Sequence, residues 1–279
     1  MVHEVVDLYK EFRIPREGKK GGYLKVFSRA AQSENRQKIY PAMLVIPGGG
    51  YQMLSEREGE PVALQFLARG YAAFILDYSV NTPFPTPLVE AGMAMAYIRK
   101  NAKKYFVDIN RVAAIGFSAG GHLTGMLATL FDDESLKKAL GADAALVRPD
   151  AVVLSYAVLT TGIGTHSGST HVISGGDEEL RKKLSLENCV TKESSPAFIW
   201  HTYEDAAVPV ENALLMASAY RKAGVPFELH IFEKGWHGLS TLGRETHDED
   251  QPAEIMRNAV WQELADGFLR IHGFCVKDR

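Results

Sequence analysis

The stretch Ala114-Ile115-Gly116-Phe117-Ser118-Ala119-Gly120-Gly121-His122 (AIGFSAGGH) places a serine between glycines directly after an apolar run. The run before Ser118 is typical of a strand and the residues after it are typical of a helix, so the serine lies at a strand-to-helix turn. Such a turn holds the hydroxyl away from the backbone and accepts only small neighbours, because strand and helix approach closely. The pattern predicts a nucleophilic serine; the alternative interpretation is a glycine-rich turn with an incidental serine.

Segments on both sides of this turn alternate between strand-like and helix-like patterns. Short apolar runs predict strands over residues 42–50, 71–80, 111–117, 151–159, 197–203 and 227–232. Helical patterns separate most of these runs, and the last helix, over 252–271, carries one predicted apolar face of Met256, Val260, Leu264 and Phe268. The alternation predicts an α/β fold, in which helices cover both faces of a mostly parallel sheet. We expect residues 1–279 to form one domain, with a cap insertion over 160–196.

The composition is that of an ordinary globular protein, with 46% hydrophobic and 23% charged residues. A net charge of -3 gives no basis for binding nucleic acid or an anionic membrane, and no apolar run reaches the ~20 residues of a membrane-spanning helix. The opening MVHEVVDLYKEF lacks the basic and apolar regions of a signal peptide, and Cys189 and Cys275 form no CxxC pair. These features predict a cytoplasmic protein with two reduced cysteines.

The best candidate for a catalytic base among the nine histidines is His237. It follows the last predicted strand, on a loop between Gly235 and Gly238. In parallel sheets the catalytic residues lie beyond the carboxyl ends of the strands. A histidine in this loop can therefore come within hydrogen-bond distance of the Ser118 hydroxyl and act as its base. His166 and His171, in the insertion, are candidates for contact with a ligand.

Two acids, Glu204 and Asp205, follow the strand over 197–203 and precede a predicted helix. A carboxylate at this point can accept the Nδ1 proton of His237 and stabilise the imidazolium. We favour Asp205 because it is shorter and closer to the turn, but spacing alone leaves Glu204 open. Ser118, Asp205 and His237 occur in the chain order, serine then acid then histidine, that is expected for a triad on a sheet of this kind.

The stretch IPGGGYQ, residues 46–52, ends the strand that we expect to lie beside the serine turn. Consecutive glycines let backbone N–H groups approach a substrate oxygen without interference from a Cβ atom. With the N–H group of Ala119, this loop would form an oxyanion hole. The alternative is a flexible glycine turn.

Four stretches together resemble the α/β-hydrolase superfamily: PGGGY (47–51), GFSAGGH (116–122), HTYEDAAVPVEN (201–212) and GWHG (235–238). More narrowly, they resemble the bacterial esterase/lipase group that includes acetylxylan-esterase-like and short-acyl carboxylesterases. The resemblance runs from about residue 40 to the end of the chain.

The resemblance implies that Ser118 is the nucleophile, His237 the base and Asp205 the orienting acid. It implies an oxyanion hole of Gly49, Gly50 and Ala119, and no cofactor. The expected partner is a small ester with a short, acetyl-like acyl group, acetylated sugars included. Pro47 departs from the histidine of the HGGG motif in hormone-sensitive-lipase-like esterases, which makes the N–H group of Tyr51 a further candidate donor.

Three aromatic residues flank the motifs, and we predict that Tyr51, Phe117 and Trp236 narrow the substrate pocket. The alternative is that these residues belong to the core.

Two other functions stay open at this stage. HTYEDAAV also resembles the acid motif of prolyl-oligopeptidase-type serine peptidases, although these 279 residues contain no propeller-sized N-terminal domain. A non-catalytic, ligand-binding member of the fold is the second alternative, but such proteins usually lack one triad residue. A metal site is not expected, because the sequence has no HExxH motif and no Cys/His cluster at ligand spacing.

Overall fold

Strands form the centre of the protein, which the computed structural model describes over residues 2–29, 38–162 and 164–278. In chain order the strands are β1 (Val2–Asp7), β2 (Tyr23–Ser28), β3 (Lys38–Ile46), β4 (Ala72–Asp77), β5 (Val107–Phe117), β6 (Ala151–Ser155), β7 (Ala197–Thr202), β8 (Phe227–Phe232) and β9 (Lys277–Asp278). They are ordered β1-β2-β4-β3-β5-β6-β7-β8, with β9 beside β3. Strands β4, β3, β5, β6, β7 and β8 run parallel, whereas β2 pairs antiparallel with β1 and β4. The predicted mostly parallel sheet is confirmed.

Helices connect the strands. They are α1 (Leu8–Phe12), α2 (Glu60–Ala68), α3 (Thr86–Lys100), α4 (Ala102–Tyr105), α5 (Ser118–Thr129), α6 (Glu134–Leu140), α7 (Ser167–Ser174), α8 (Glu178–Lys183), α9 (Glu211–Ala223), α10 (Ala253–Met256) and α11 (Trp261–Ile271). Short 3-10 turns occupy Glu56–Glu58, Gly141–Leu146, Leu186–Asn188 and Arg257–Val260. Within the described ranges, none of the helices has the length and apolar character required to cross a membrane.

Successive residues of the central strand β3 enter two different hydrophobic clusters. Leu44 and Ile46 belong to one cluster, to which α3, α5 and α9 contribute, whereas Met43 and Val45 belong to a second, to which α2 and α11 contribute. This division follows from the strand, in which neighbouring side chains point to opposite faces. Both faces of the sheet are therefore apolar and covered, as is typical of parallel sheets.

The segment predicted as one helix over 252–271 is interrupted by the 3-10 turn Arg257–Val260. Met256 and Val260 are 39% and 44% exposed, whereas Trp261 and Phe268 are buried. A 3-10 helix has about 3.0 residues per turn instead of about 3.6, so the interruption rotates the buried face. The predicted apolar face is therefore wrong for Met256 and Val260.

The segment over 160–196 connects β6 to β7, where the sequence predicts an insertion, and forms α7, α8 and the turn Leu186–Asn188. Ile163 lies outside the described residues. The Leu186 N–H group donates to the Leu159 carbonyl at 2.9 Å, and the Thr161 N–H group donates to Ser185 Oγ at 3.0 Å. These bonds join the beginning of the segment to residues 185 and 186, beside the carboxyl end of β6.

The turn between β5 and α5 allows a direct test of its packing. A Cβ atom on Gly120 would lie 2.2 Å from the Ile46 carbonyl oxygen and 2.3 Å from that of Pro47. Because both contacts are with backbone, we expect Gly120→Ala to lower the free energy of unfolding by about 1–3 kcal/mol or more. Gly267, in α11, has no atom within 4 Å of the corresponding position, so Gly267→Ala should instead raise that free energy by about 0.5–1 kcal/mol.

Urea denaturation of the two variants and the unchanged protein measures both effects. Equal unfolding midpoints for Gly120→Ala and Gly267→Ala would show that α5 does not press on the end of β3.

Candidate active site

Ser118 is the first residue of α5, directly after the end of β5, and its backbone lies in the left-handed region at φ 52°. Residues other than glycine seldom adopt this conformation, and where they do, the strain often marks a functional turn. Packing holds the turn in place from the side of β3, because a Cβ atom on Gly48 would lie 2.9 Å from Ser118 Cβ. The strand-to-helix turn predicted from the sequence is present, and Ser118 is partly exposed at its tip.

A chain of two hydrogen bonds joins the three residues predicted as a triad. His237 Nε2 lies 2.8 Å from Ser118 Oγ, and His237 Nδ1 lies 2.7 Å from Asp205 Oδ2. The Asp205 side chain is fully buried, and its second oxygen accepts the N–H groups of Ala207 and Val208 at 3.0 and 2.9 Å. Burial raises the pKa of Asp205. The hydrogen bond with His237, the charge of His237 and the hydrogen bond from the Val208 N–H group lower it by more, so the pKa lies below its ordinary value.

The neighbouring acid has a different position. Glu204 accepts hydrogen bonds from Lys234 Nζ at 2.6 Å and from the Gly235 N–H group at 3.4 Å, and its side chain is 43% exposed. The choice that spacing alone left open is therefore decided by geometry, since Asp205 contacts His237 and Glu204 holds the adjacent loop.

The loop after β3 presents unused backbone donors beside Ser118. Gly49, Gly50 and Tyr51 have φ values of 117°, 67° and 61°, which turn three successive peptides in a tight loop. Across residues 2–29, 38–162 and 164–278, no acceptor takes the N–H groups of Gly49, Gly50 or Tyr51, nor that of Ala119 in the first turn of α5. Gly49 and Gly50 line the same cavity as Ser118 and His237.

Tyr51 braces this loop from inside the protein. Its side chain is fully buried, and its hydroxyl lies 2.8 Å from His122 Nδ1, while His122 Nε2 lies 2.9 Å from the Leu184 carbonyl. The carbonyl requires a proton on Nε2, so the Tyr51 hydroxyl donates to Nδ1. Burial lowers the pKa of His122 to about 4, although the bond to Leu184 opposes this, and the neutral ring links the loop, α5 and the segment over 160–196.

A second brace was not predicted from the sequence and involves Glu58. Its buried carboxyl group accepts the Gly48 N–H group and the Tyr156 hydroxyl, each at 2.8 Å. The Tyr156 oxygen in turn accepts the Ser240 N–H group at 2.9 Å, and the Tyr156 ring packs edge-on against the His237 ring at 5.1 Å. Burial, with Glu58 adding to it, raises the pKa of Tyr156 well above its ordinary value, so its hydroxyl stays a donor. The position of Tyr156 just beyond β6, at the active edge of the sheet, is the signal that could have identified it.

The cavity above Ser118 has a volume of about 350 Å³ and is lined mainly by polar and small residues. His166, from the segment over 160–196, forms part of its wall; its Nδ1 lies 2.8 Å from Ser169 Oγ and accepts the Ser169 N–H group at 3.2 Å. Burial, followed by the charge of His237, lowers the pKa of His166. His171 is exposed and does not line the cavity, so only one of the two predicted histidines faces it.

The predicted aromatic lining needs correction. Tyr51 and Phe117 are fully buried in the two hydrophobic clusters, and neither lines the cavity, so the prediction is wrong for both. Trp236 is 45% exposed beside His237 and is not part of the lining either. A residue next to such a motif can face the core or the solvent, and its proximity to the motif in sequence does not show that it lines the cavity.

Comparison with known proteins agrees with this architecture. The BD-FAE family model matches residues 30–220. Endo-1,4-beta-xylanase B of Butyrivibrio fibrisolvens is 44% identical over 211 residues, which make up 73% of this chain and 33% of that protein. The acetylxylan esterase of Xylanibacter ruminicola is 32% identical over 209 residues, 71% of this chain and 41% of that protein. The aligned region thus spans less than half the length of either relative.

A solved structure matches over nearly the whole chain. It is an acetyl ester-xyloside bifunctional hydrolase from Caldicellulosiruptor lactoaceticus, with 33% identity, a TM-score of 0.82 and 97% coverage of both chains. The sheet order and the strand-to-helix turn at Ser118 agree with the match over residues 30–220. The chain therefore belongs to the BD-FAE family and has the α/β-hydrolase fold.

Proposed function

We propose that this protein is a serine esterase that removes short acyl groups, above all acetyl groups, from carbohydrate esters. The observation that carries this proposal is the unbroken chain from Ser118 Oγ through the His237 ring to the buried Asp205, with distances of 2.8 and 2.7 Å. A serine hydroxyl is a weak nucleophile until a base removes its proton, and this arrangement supplies the base and fixes its tautomer.

In the proposed reaction, Ser118 Oγ attacks the ester carbonyl carbon while His237 Nε2 takes the hydroxyl proton. The tetrahedral intermediate then breaks its bond to the alcohol oxygen, which leaves with the proton from Nε2, and the acyl group stays on Ser118. A water molecule repeats the two steps and releases the acid. Asp205 accepts a hydrogen bond from the Nδ1–H group throughout and stabilises the imidazolium, and its lowered pKa keeps it ionised for this role.

The developing negative charge requires donors that are already in place. The unused N–H groups of Gly49, Gly50 and Ala119 are the candidates, and the loss of one such donor typically costs about 2.7–4 kcal/mol of transition-state stabilisation. The braces through Tyr51 and Glu58 support this assignment, because they fix the loop on both sides before the substrate arrives.

The surroundings of Ser118 favour a small acyl group and a polar alcohol. The reaction cavity of about 350 Å³ lies near the lower end of small-molecule sites, and Gly49, Gly50 and Ala207 form part of its wall. His166 and Gln52 add polar groups to its wall. Relatives named for acetylxylan and for an acetyl ester support the choice of an acetylated sugar.

A substrate panel tests the proposal. We expect 4-nitrophenyl acetate and acetylated xylo-oligosaccharides to be hydrolysed with higher kcat/KM than 4-nitrophenyl decanoate or aminoacyl 4-nitroanilides, because the cavity is small. Ser118→Ala should lower kcat by more than about a thousandfold. A preference for the decanoate or the anilides would contradict the substrate class. Failure of the folded protein to react with a fluorophosphonate would instead favour a non-catalytic member of the fold.

The two adjacent acids form a matched pair of variants. Asp205→Asn removes the acceptor that fixes the His237 tautomer, so we expect kcat to fall by about 10⁴-fold. Glu204→Gln keeps an amide oxygen that can accept the Gly235 N–H group and weakens the exposed ion pair with Lys234, so it should leave kcat within about threefold, as a surface ion pair contributes little. Initial rates on 4-nitrophenyl acetate measure both effects. Equal losses in the two variants would reject Asp205 as the orienting residue.

The brace at Glu58 predicts a loss that is catalytic more than structural. In the unchanged protein both oxygens of Glu58 accept, one from the Gly48 N–H group and one from the Tyr156 hydroxyl. In Glu58→Gln an NH₂ group replaces one of these oxygens and faces a donor. We therefore expect the loop after β3 to be displaced. We expect kcat to fall by about ten- to a hundredfold with KM changed less, because the displacement misplaces transition-state donors. The exposed Glu254→Gln on α10 serves as the control. A Glu58→Gln enzyme with unchanged kcat would show that the brace does not position the loop.

A further inference from the structure

A second and larger cavity adjoins the reaction cavity. It has a volume of about 740 Å³, about twice that of the reaction cavity, and the two share Ser55 and Arg57 in their walls. We call it the Arg57 groove; its lining includes Ser55, Glu56, Arg57, Glu60, Leu64 and Glu245. A molecule whose ester lies on Ser118 can therefore extend past Arg57 into this groove.

Arg57 stands at the junction of the two cavities. Its guanidinium Nη2 lies 3.3 Å from the place that a Cβ atom on Gly238 would occupy, one residue beyond His237. The side chain is exposed, and in the described part of the chain its guanidinium has no hydrogen-bond or ion-pair partner. The backbone is fixed, because the Arg57 carbonyl accepts the Ser240 hydroxyl. Five N–H donors are thus available beside the catalytic histidine.

The charges of the groove select against anionic ligands. The three carboxylates of Glu56, Glu60 and Glu245 outnumber the single guanidinium of Arg57, so the groove opposes an anion, and the Lys25–Asp77 pair at 2.9 Å adds no net charge. A hydroxyl group can bind both the carboxylates and the guanidinium of the groove, because it donates a hydrogen bond to a carboxylate and accepts one from a guanidinium.

Apolar residues complete the lining. Pro61 and Leu64 from α2 and Leu54 from the preceding loop lie along the same groove, and Leu64 is 42% exposed. Such surfaces suit the C–H faces of pyranose rings, whose edges carry the hydroxyls. An uncharged saccharide therefore matches the groove better than a lipid chain or an acidic peptide.

We propose that the Arg57 groove binds the saccharide chain on the alcohol side of the ester, as a neutral pyranose oligomer that continues from the acetylated unit on Ser118. This inference rests on the proposed function and extends it from an acetylated sugar to an acetylated oligosaccharide. The groove would act through binding, so its contribution should fall mainly on KM.

Chain length and groove variants test the proposal together. For the unchanged enzyme we expect kcat/KM to be about tenfold higher for acetylated xylotetraose than for acetylated xylose, relative to 4-nitrophenyl acetate as the common reference. Leu64→Trp, which fills the groove, and Arg57→Leu, which removes its donors, should each reduce this preference to about twofold or less. Arg221→Leu, an exposed arginine on α9 outside both cavities, should preserve it. Equal rates for the two sugars, or variants that keep the preference, would overturn the proposal.

Calorimetry with unacetylated xylotetraose separates this inference from the proposed function. Binding that is present in the unchanged protein and in Ser118→Ala, and is lost in Leu64→Trp, would support the groove even if no acetylated sugar were hydrolysed. Absence of binding in all three proteins would reject the groove, whatever the esterase activity. Circular dichroism and urea midpoints establish that Leu64→Trp is folded.

Discussion

The contact between the start of α5 and the end of β3 is the constraint on which the site depends. Gly120 lies against the carbonyl groups of Ile46 and Pro47 with no room for a Cβ atom. Because α5 begins so close to β3, the chain between β5 and α5 turns sharply at Ser118 in a left-handed conformation, with its hydroxyl at the tip. The same contact sets the glycine loop after β3 beside that hydroxyl. Ser118 and the candidate oxyanion donors therefore share one packing interaction.

Two buried hydrogen-bond chains extend this constraint to the rest of the site. One runs from Tyr51 through His122 to Leu184, and the other runs from Gly48 through Glu58 and Tyr156 to Ser240. Each crosses between segments far apart in sequence, and every polar group in it has a partner, as buried groups require. The second chain ends three residues beyond His237, so the glycine loop after β3 and the loop that carries His237 are held by the same carboxyl group.

The sequence predicted the features that depend on local chemistry. The turn at Ser118, the strand-helix alternation and the position of His237 follow from glycine, apolar periodicity and strand ends, and all are present in the structure. What depends on long-range contacts was missed or wrong. Glu58 and Tyr156 are 98 residues apart, and no local sequence pattern predicts the hydrogen bond between them. Tyr51 and Phe117 adjoin the motifs yet face the core, and the 3-10 turn before Trp261 rotates a helix whose periodicity looked continuous.

His166 shows how the segment over 160–196 takes part in the chemistry of the cavity. Its ring is the N-terminal cap of α7, because Nδ1 accepts the Ser169 N–H group. A nitrogen that accepts from a peptide carries no proton, so in the neutral ring the proton must sit on Nε2. The beginning of a helix thereby selects one tautomer of a cavity side chain and turns it into a hydrogen donor. His166 thus makes the beginning of α7 part of the cavity wall, and the helix determines the polarity that this side chain presents.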